Sequence, residues 1–430
     1  MRTKTTLLSI FIVVVFLLLP GCSHLPKIRI KTEVVKEKEQ VVKTGIEVLT
    51  ENNFDILKDK KVGLITNATG INRDFVSTID LLNESPYVKL TALYGPEHGV
   101  RGDRTAGEHI SYFTDAKTNL PVYPLYGKTR KPTSEMLKDI DVLIFDIQDI
   151  GARSYTYIST MGLAMEAAAE NGIEMVVLDR PNPLGGNHIE GNIIEDQYRS
   201  FVSQFAIPYV HGLTVGELAS MLNDEGMLAG SVSCQLTVIP MKGWNRSMTF
   251  EETELPWVPT SPHIPHEDTP LYYVSTGILG ELGVFSIGVG YTLPFRMIGA
   301  PWIDGTIITD ELNSLGLQGV KIRPVSYKPY YALGKNEYLG GVQIHLDDPS
   351  DIDLMSIQFL FMEAHNKHYP NKKPFEIADE TRLAMFDKVV GTSKIRELFS
   401  ENYRYEDIKN YLQKDVKAFR ELSKKYYLYD

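Results

Sequence analysis

Five short, almost wholly apolar runs punctuate the first part of this chain, at residues 61–66, 88–94, 141–145, 175–178 and 236–239. Runs of this length without polar alternation form strands buried on both faces. The stretches between them carry helical spacing. Phe75, Ile79 and Leu82 fall at that spacing, and residues 157–171 are rich in Ala, Met and Glu and close at Gly172. Residues 213–225 read as a helix with Thr214 as its N-cap. Buried strands separated by helices pair in parallel, so the fold class is α/β, a parallel sheet with helices on both faces.

The second part has a different pattern. Residues 251–305 hold many Pro, Gly and Tyr, and strand-like runs follow at 320–322 and 342–345. A helix over 354–365 carries Leu354, Ile357 and Phe361 on one face, and residues 381–427 are largely helical. This is a smaller α+β domain. The division is a first domain over residues 46–264 and a C-terminal domain over 265–430.

Ahead of both, Arg2 and Lys4 precede an uncharged apolar run over residues 7–19, which ends in Leu19-Pro20-Gly21-Cys22. These thirteen residues are too few to span a bilayer, which takes about 20. They suit the apolar region of a secretory signal. The closing residues resemble a bacterial lipobox, so residues 1–21 read as a lipoprotein signal peptide and Cys22 as the lipidated new N-terminus. A secreted protein with a chance cysteine is the alternative. Residues 22–45, rich in Lys, Glu, Val and Gln, read as a tether from membrane to domain. Cys234, the other of the two cysteines, is expected to be a buried thiol without a partner.

In open parallel sheets, ligands bind beyond the carboxyl ends of the strands. The first run is followed by Asn67 and Thr69. The second is followed by Gly95-Pro96-Glu97-His98-Gly99 with Arg101 and Asp103. The third leads into Asp146, Gln148, Asp149, Arg153 and Tyr155, and the fourth into Asp179-Arg180-Pro181-Asn182. One or two strand-end acids would be ordinary helix caps. Polar groups at four successive strand ends point to a polar pocket.

Several chemistries fall away. A net charge of −11 with no long Lys/Arg block argues against nucleic acid. The turn after the first run lacks G-x-G-x-x-G, there is no Walker A motif, and no G-x-S-x-G elbow occurs. His98 and His109 are eleven residues apart, which matches no common helical zinc spacing. Acid–base work by carboxylates remains. Glu97 sits on a turn stiffened by Pro96 and bounded by glycines, which suits a general acid. Asp149, Asp146 and Asp179 are candidate partners for the paired carboxylates of glycoside hydrolysis. Arg101, Arg153 and Arg180 are candidates to grip an anionic substrate group, the alternative for each being a salt bridge to a strand-end Asp.

Five segments carry a resemblance. They are Gly95-Pro96-Glu97-His98-Gly99, the stretch from Asp146 to Arg153, Tyr155-Thr156-Tyr157, Leu178-Asp179-Arg180-Pro181-Asn182-Pro183 and His211-Gly212-Leu213-Thr214. Together they resemble the exo-β-N-acetylmuramidase (NamZ-type) glycosidases, from about residue 46 to the end. The resemblance implies a Rossmann-like catalytic domain, an ancillary C-terminal domain, a cleft between them and no cofactor. It implies removal of terminal N-acetylmuramic acid from the non-reducing end of peptidoglycan fragments.

Glu97 matches the family's candidate catalytic glutamate, with Asp149 and His98 expected beside it. Asn67, Arg101, Arg153, Tyr155, Asp179, Arg180, Asn182 and His211 are the expected substrate-binding groups, and the lactyl carboxylate of the sugar gives the arginines a purpose. One stretch departs from the family pattern. Where an acidic-Gly-Arg-Gly sequence is expected, this chain has Ser286-Ile287-Gly288-Val289-Gly290, with Ile287 and Val289 in place of the charged pair. The rival readings are a non-catalytic lipoprotein that binds muropeptides or another glycan, and a metal-dependent amidase.

Overall fold

A computed structural model describes residues 41–96, 99–102, 113–347 and 352–430. Seven strands form the first sheet: β1 (Lys61–Thr66), β2 (Lys89–Gly95), β3 (Phe113–Thr114), β4 (Pro121–Pro124), β5 (Val142–Asp146), β6 (Glu174–Leu178) and β7 (Leu236–Ile239). Their order is β3-β4-β2-β1-β5-β6-β7. All pairs are parallel except the two-residue edge strand β3 on β4. The parallel strands therefore run in the Rossmann order, third-second-first-fourth-fifth-sixth.

The apolar runs feed two cores. Val62, Leu64, Val142, Ile144 and Val176 point to one face and pack with Ile46, Leu49, Ile79 and Leu82. Ile65, Leu143, Phe145, Met175 and Val177 point to the other and pack with Ile158, Met161, Met165 and Leu218. Successive residues of a strand face opposite ways, so a run without polar gaps must be covered twice. The covers on the first face are helices Gly45–Glu51 and Thr78–Glu84. Those on the second are Tyr157–Asn171 and Val215–Asp224. The last of these is capped by Thr214, whose hydroxyl accepts from the Glu217 amide while Glu217 reaches back to the Thr214 amide.

A second, antiparallel sheet has the order β8-β10-β9, with β8 (Met297–Ala300), β9 (Val320–Tyr327) and β10 (Leu339–Leu346). Pro324 lies inside β9, opposite Val342, which is tolerable because β9 is an edge. That proline conceals the length of the strand in the sequence. Helix Gly305–Ser314 packs on this sheet, helix Leu354–His368 packs on that helix, and helix Thr269–Glu281 packs on Leu354–His368, all around one apolar cluster. The closing segment then returns to the first sheet, where Phe419 is buried in its core. Tyr429 donates to Asp179 at 2.5 Å and the Leu428 amide to Glu217 at 2.9 Å.

The folded body starts earlier than the expected end of the tether at residue 45. Val42 is buried, the backbones of Lys43 and Lys242 exchange hydrogen bonds, and Gly45 donates to the Asp179 carbonyl. Pairing of these backbone groups fixes residues whose side chains alone look like a solvated linker.

Candidate active site at the sheet edge

β1 lies between β2 and β5, so the connections leaving it and its successor diverge to opposite sides. The crevice that this divergence opens is bounded by the segments after β1 and β5. The Thr66 hydroxyl donates to the Asp146 carbonyl at 2.8 Å and the Gln148 amide to the Thr69 hydroxyl at 2.9 Å, which locks the two segments together. Asn67 is part of that lock, accepting from the Thr69 amide and hydroxyl. Thr69, Gln148 and Arg180 face Trp257 across a narrow cleft.

Most of the expected charged groups are engaged inside the protein. Arg180 holds Asp146 by two bonds of 2.6 and 3.0 Å and also donates to the Ile71 carbonyl. Asp179 accepts from the amides of Arg180 and Gly216 and the hydroxyls of Thr214 and Tyr429. Burial still pushes its carboxyl up to about 6. Arg153 is fully buried and donates to the carbonyls of Asn192, Ile207, Val389 and Val390. Its burial lowers it to about 10. Arg101 pairs with Asp115 through two bonds and reaches Asp80, and Arg101 holds the Asp115 carboxyl well below the usual range. Arg101, Arg153, Arg180 and Asp179 thus each fix loops or helix ends through bonds inside the protein.

Asn182 donates to the Leu213 carbonyl and accepts from the Leu184 amide. Its amide side chain lies against Gly151, where an added Cβ would come within 2.3 Å of Asn182 Oδ1, so this turn requires glycine. An antiparallel bridge between Ala152 and Val210 then brings the segment after β5 beside His211.

The groups with unspent capacity are different ones. Asp149 is 5 % exposed; one carboxylate oxygen accepts from the Gly151 amide at 2.8 Å and the other has no partner among the described residues. Burial pushes its pKa up to about 7, against the pull of those backbone amides. A carboxyl poised near neutrality with a vacant oxygen can hold or release a proton. Tyr155 and Tyr273 lie near enough to feel its charge. The Tyr155 hydroxyl bonds to Thr260 at 2.7 Å and its ring meets that of Tyr273 edge-on. His211 accepts at Nδ1 from the Leu213 amide. Burial, then the nearby Arg153, lowers it to about 3, so it is neutral, and its Nε2 has no partner among the described residues.

Glu97, His98 and Cys22 lie outside the described residues. The flanks of the first two are described: β2 ends at Gly95, Val100 is buried, and the Gly99 amide donates to the Pro96 carbonyl at 3.1 Å.

Family models match nearly the whole folded part of the chain. Residues 62–268 match the N-terminal part of exo-beta-N-acetylmuramidase NamZ, and residues 271–429 match its C-terminal part. The chain belongs to the NamZ family. It is 45% identical over 392 residues to peptidoglycan beta-N-acetylmuramidase NamZ of Bacillus subtilis, covering 91% of this chain and 92% of that one. Two crystal structures of DUF1343 family proteins from Bacteroides fragilis each align with 90% of this chain and 99% of their own. One is 58% identical with a TM-score of 0.87, the other 30% identical with a TM-score of 0.73.

Within this NamZ fold, the sequence missed Ser154, Thr260 and Tyr273, which join the candidate site through Tyr155. Ser154 bonds both the Tyr209 and Tyr273 hydroxyls, at 3.1 and 3.0 Å. Thr260 lies in an irregular Pro-rich segment and Tyr273 inside an apolar helix, so neither carries a local signal of chemistry.

Proposed function

We propose that this chain is an exo-acting glycoside hydrolase that removes terminal N-acetylmuramic acid from the non-reducing end of peptidoglycan fragments. The observation that carries the reading is the NamZ match over both parts of the chain. The sheet edge supplies chemistry of the right kind, since Asp149 is a buried carboxyl held near neutral pKa with an oxygen free.

In this reading Glu97 enters protonated and gives its proton to the glycosidic oxygen as the bond to the anomeric carbon breaks. Asp149, as carboxylate, takes a proton from the water that attacks that carbon. Tyr155 and His211 place hydroxyl and N–H dipoles along the site, with His211 donating from Nε2. The test is hydrolysis of a defined muramic acid glycoside by wild type and by Glu97→Gln, with turnover expected to be at least about a hundredfold slower in the second.

The protein also works outside the cytoplasm, held to the membrane through Cys22. The support is the apolar run over 7–19 and the lipobox-like Leu19-Pro20-Gly21-Cys22. No helix among the described residues is long and apolar enough to cross a membrane.

A further inference from the structure

Tyr273, which feels the charge of Asp149, also lines a cavity of about 560 Å³ in the second part of the chain. Ile287 and Val289 form part of its apolar wall, and Glu281, Ser286 and Arg382 bring its polar groups. Three observations single it out. The Ser286 hydroxyl is buried and bonds to no described residue. Glu281 and Arg382 feel each other's charge, yet neither side chain closes a hydrogen bond or ion pair with a described residue. The Arg382 side chain lies across Gly283, which has φ +65° and where a Cβ would stand 3.0 Å from Arg382 Nε. A side chain at position 283 would crowd the guanidinium.

A sugar carrying a lactyl carboxylate calls for a cation, and three described arginines at the sheet edge are already taken. Arg101 is held by Asp115 and Asp80, Arg153 by four carbonyls, and Arg180 by Asp146. Position 289, where the family pattern calls for arginine, is valine. Among the residues lining this cavity, Arg382 is the cation, and its fork is unspent.

We propose that Arg382 anchors the lactyl carboxylate of the substrate, with the sugar seated against Ile287 and Val289 and the Ser286 hydroxyl turned to it. A planar guanidinium matches the two oxygens of a carboxylate. This assignment rests on the muramic acid reading given above, and explains how a chain without the motif arginine keeps that sugar.

The test is calorimetry with free N-acetylmuramic acid and N-acetylglucosamine, which differ by the lactyl group. Wild type should bind the first at least about tenfold more tightly, as expected for one charged pair. Arg382→Gln should erase that preference without changing affinity for N-acetylglucosamine, and Arg382→Lys should restore part of it. A preference that survives in Arg382→Gln, or none in wild type, overturns the proposal. Turnover of a chromogenic muramic acid glycoside separates the two readings. An unchanged KM in Arg382→Gln rejects the anchor while the hydrolase stands. Arg382-dependent binding without any turnover keeps the anchor and rejects the hydrolase.

Discussion

Asp149 shows how much chemistry one buried residue can hold. Its pKa of about 7 lies well above the ordinary 3.8, so the folded chain keeps a proton that the unfolded chain loses. The sign follows from linkage: its contribution to stability is complete below pH 4 and falls as pH rises through 7, by roughly 4 kcal/mol. Asp149→Asn, permanently neutral, escapes that loss. Its melting temperature relative to wild type should climb between pH 4 and 7 and level off above. The same titration should govern the reaction, with kcat/KM of wild type falling below pH 7 as the base becomes protonated. A flat difference in melting temperature across that range would show that Asp149 is not raised. The sequence presents Asp149 as one strand-end acid among several. Its vacant oxygen, and the Tyr273 beside it, depend on residues more than a hundred positions apart, which no local pattern reveals.

Among the elements, five of the six parallel strands were legible because burial on both faces leaves a run with no polar gap. Strands β3, β4 and β8 were not, being two to four residues long with no pattern to detect. Arg153 marks a different limit. Its position after β5 resembles that of a ligand-binding cation. The carbonyls that consume it at Val389 and Val390 lie 236 and 237 residues further on. It ties the segment after β5 to the end of helix Glu380–Val390 and so joins the two parts of the chain. Arg153→Met would leave those carbonyls unpaired in a buried setting. We expect a loss on the order of 4 kcal/mol, read as a lower denaturant midpoint. Arg153→Lys should recover little of it, since an ammonium cannot span four acceptors in one plane. A midpoint within error of wild type would refute this role.

For the whole molecule, a chain of net charge −11 would need a local cation to hold the proposed acidic sugar, and three described arginines are paired internally. The C-terminal segment closes on the first sheet through Tyr429 and Asp179. The residues ahead of Val41 are the proposed link to the membrane, where one acyl chain alone holds marginally and a lipoprotein anchor carries more. Cys22→Ala should move the protein from the membrane to the soluble fraction of a cell extract. Unchanged membrane association would dispose of the anchor. The proposed muramic acid glycosidase, with Glu97 as its acid, is tested by turnover of a chromogenic N-acetylmuramic acid glycoside. Wild type should release the chromophore and Glu97→Gln should be at least about a hundredfold slower. Equal turnover in the two proteins, or none in wild type, would contradict it.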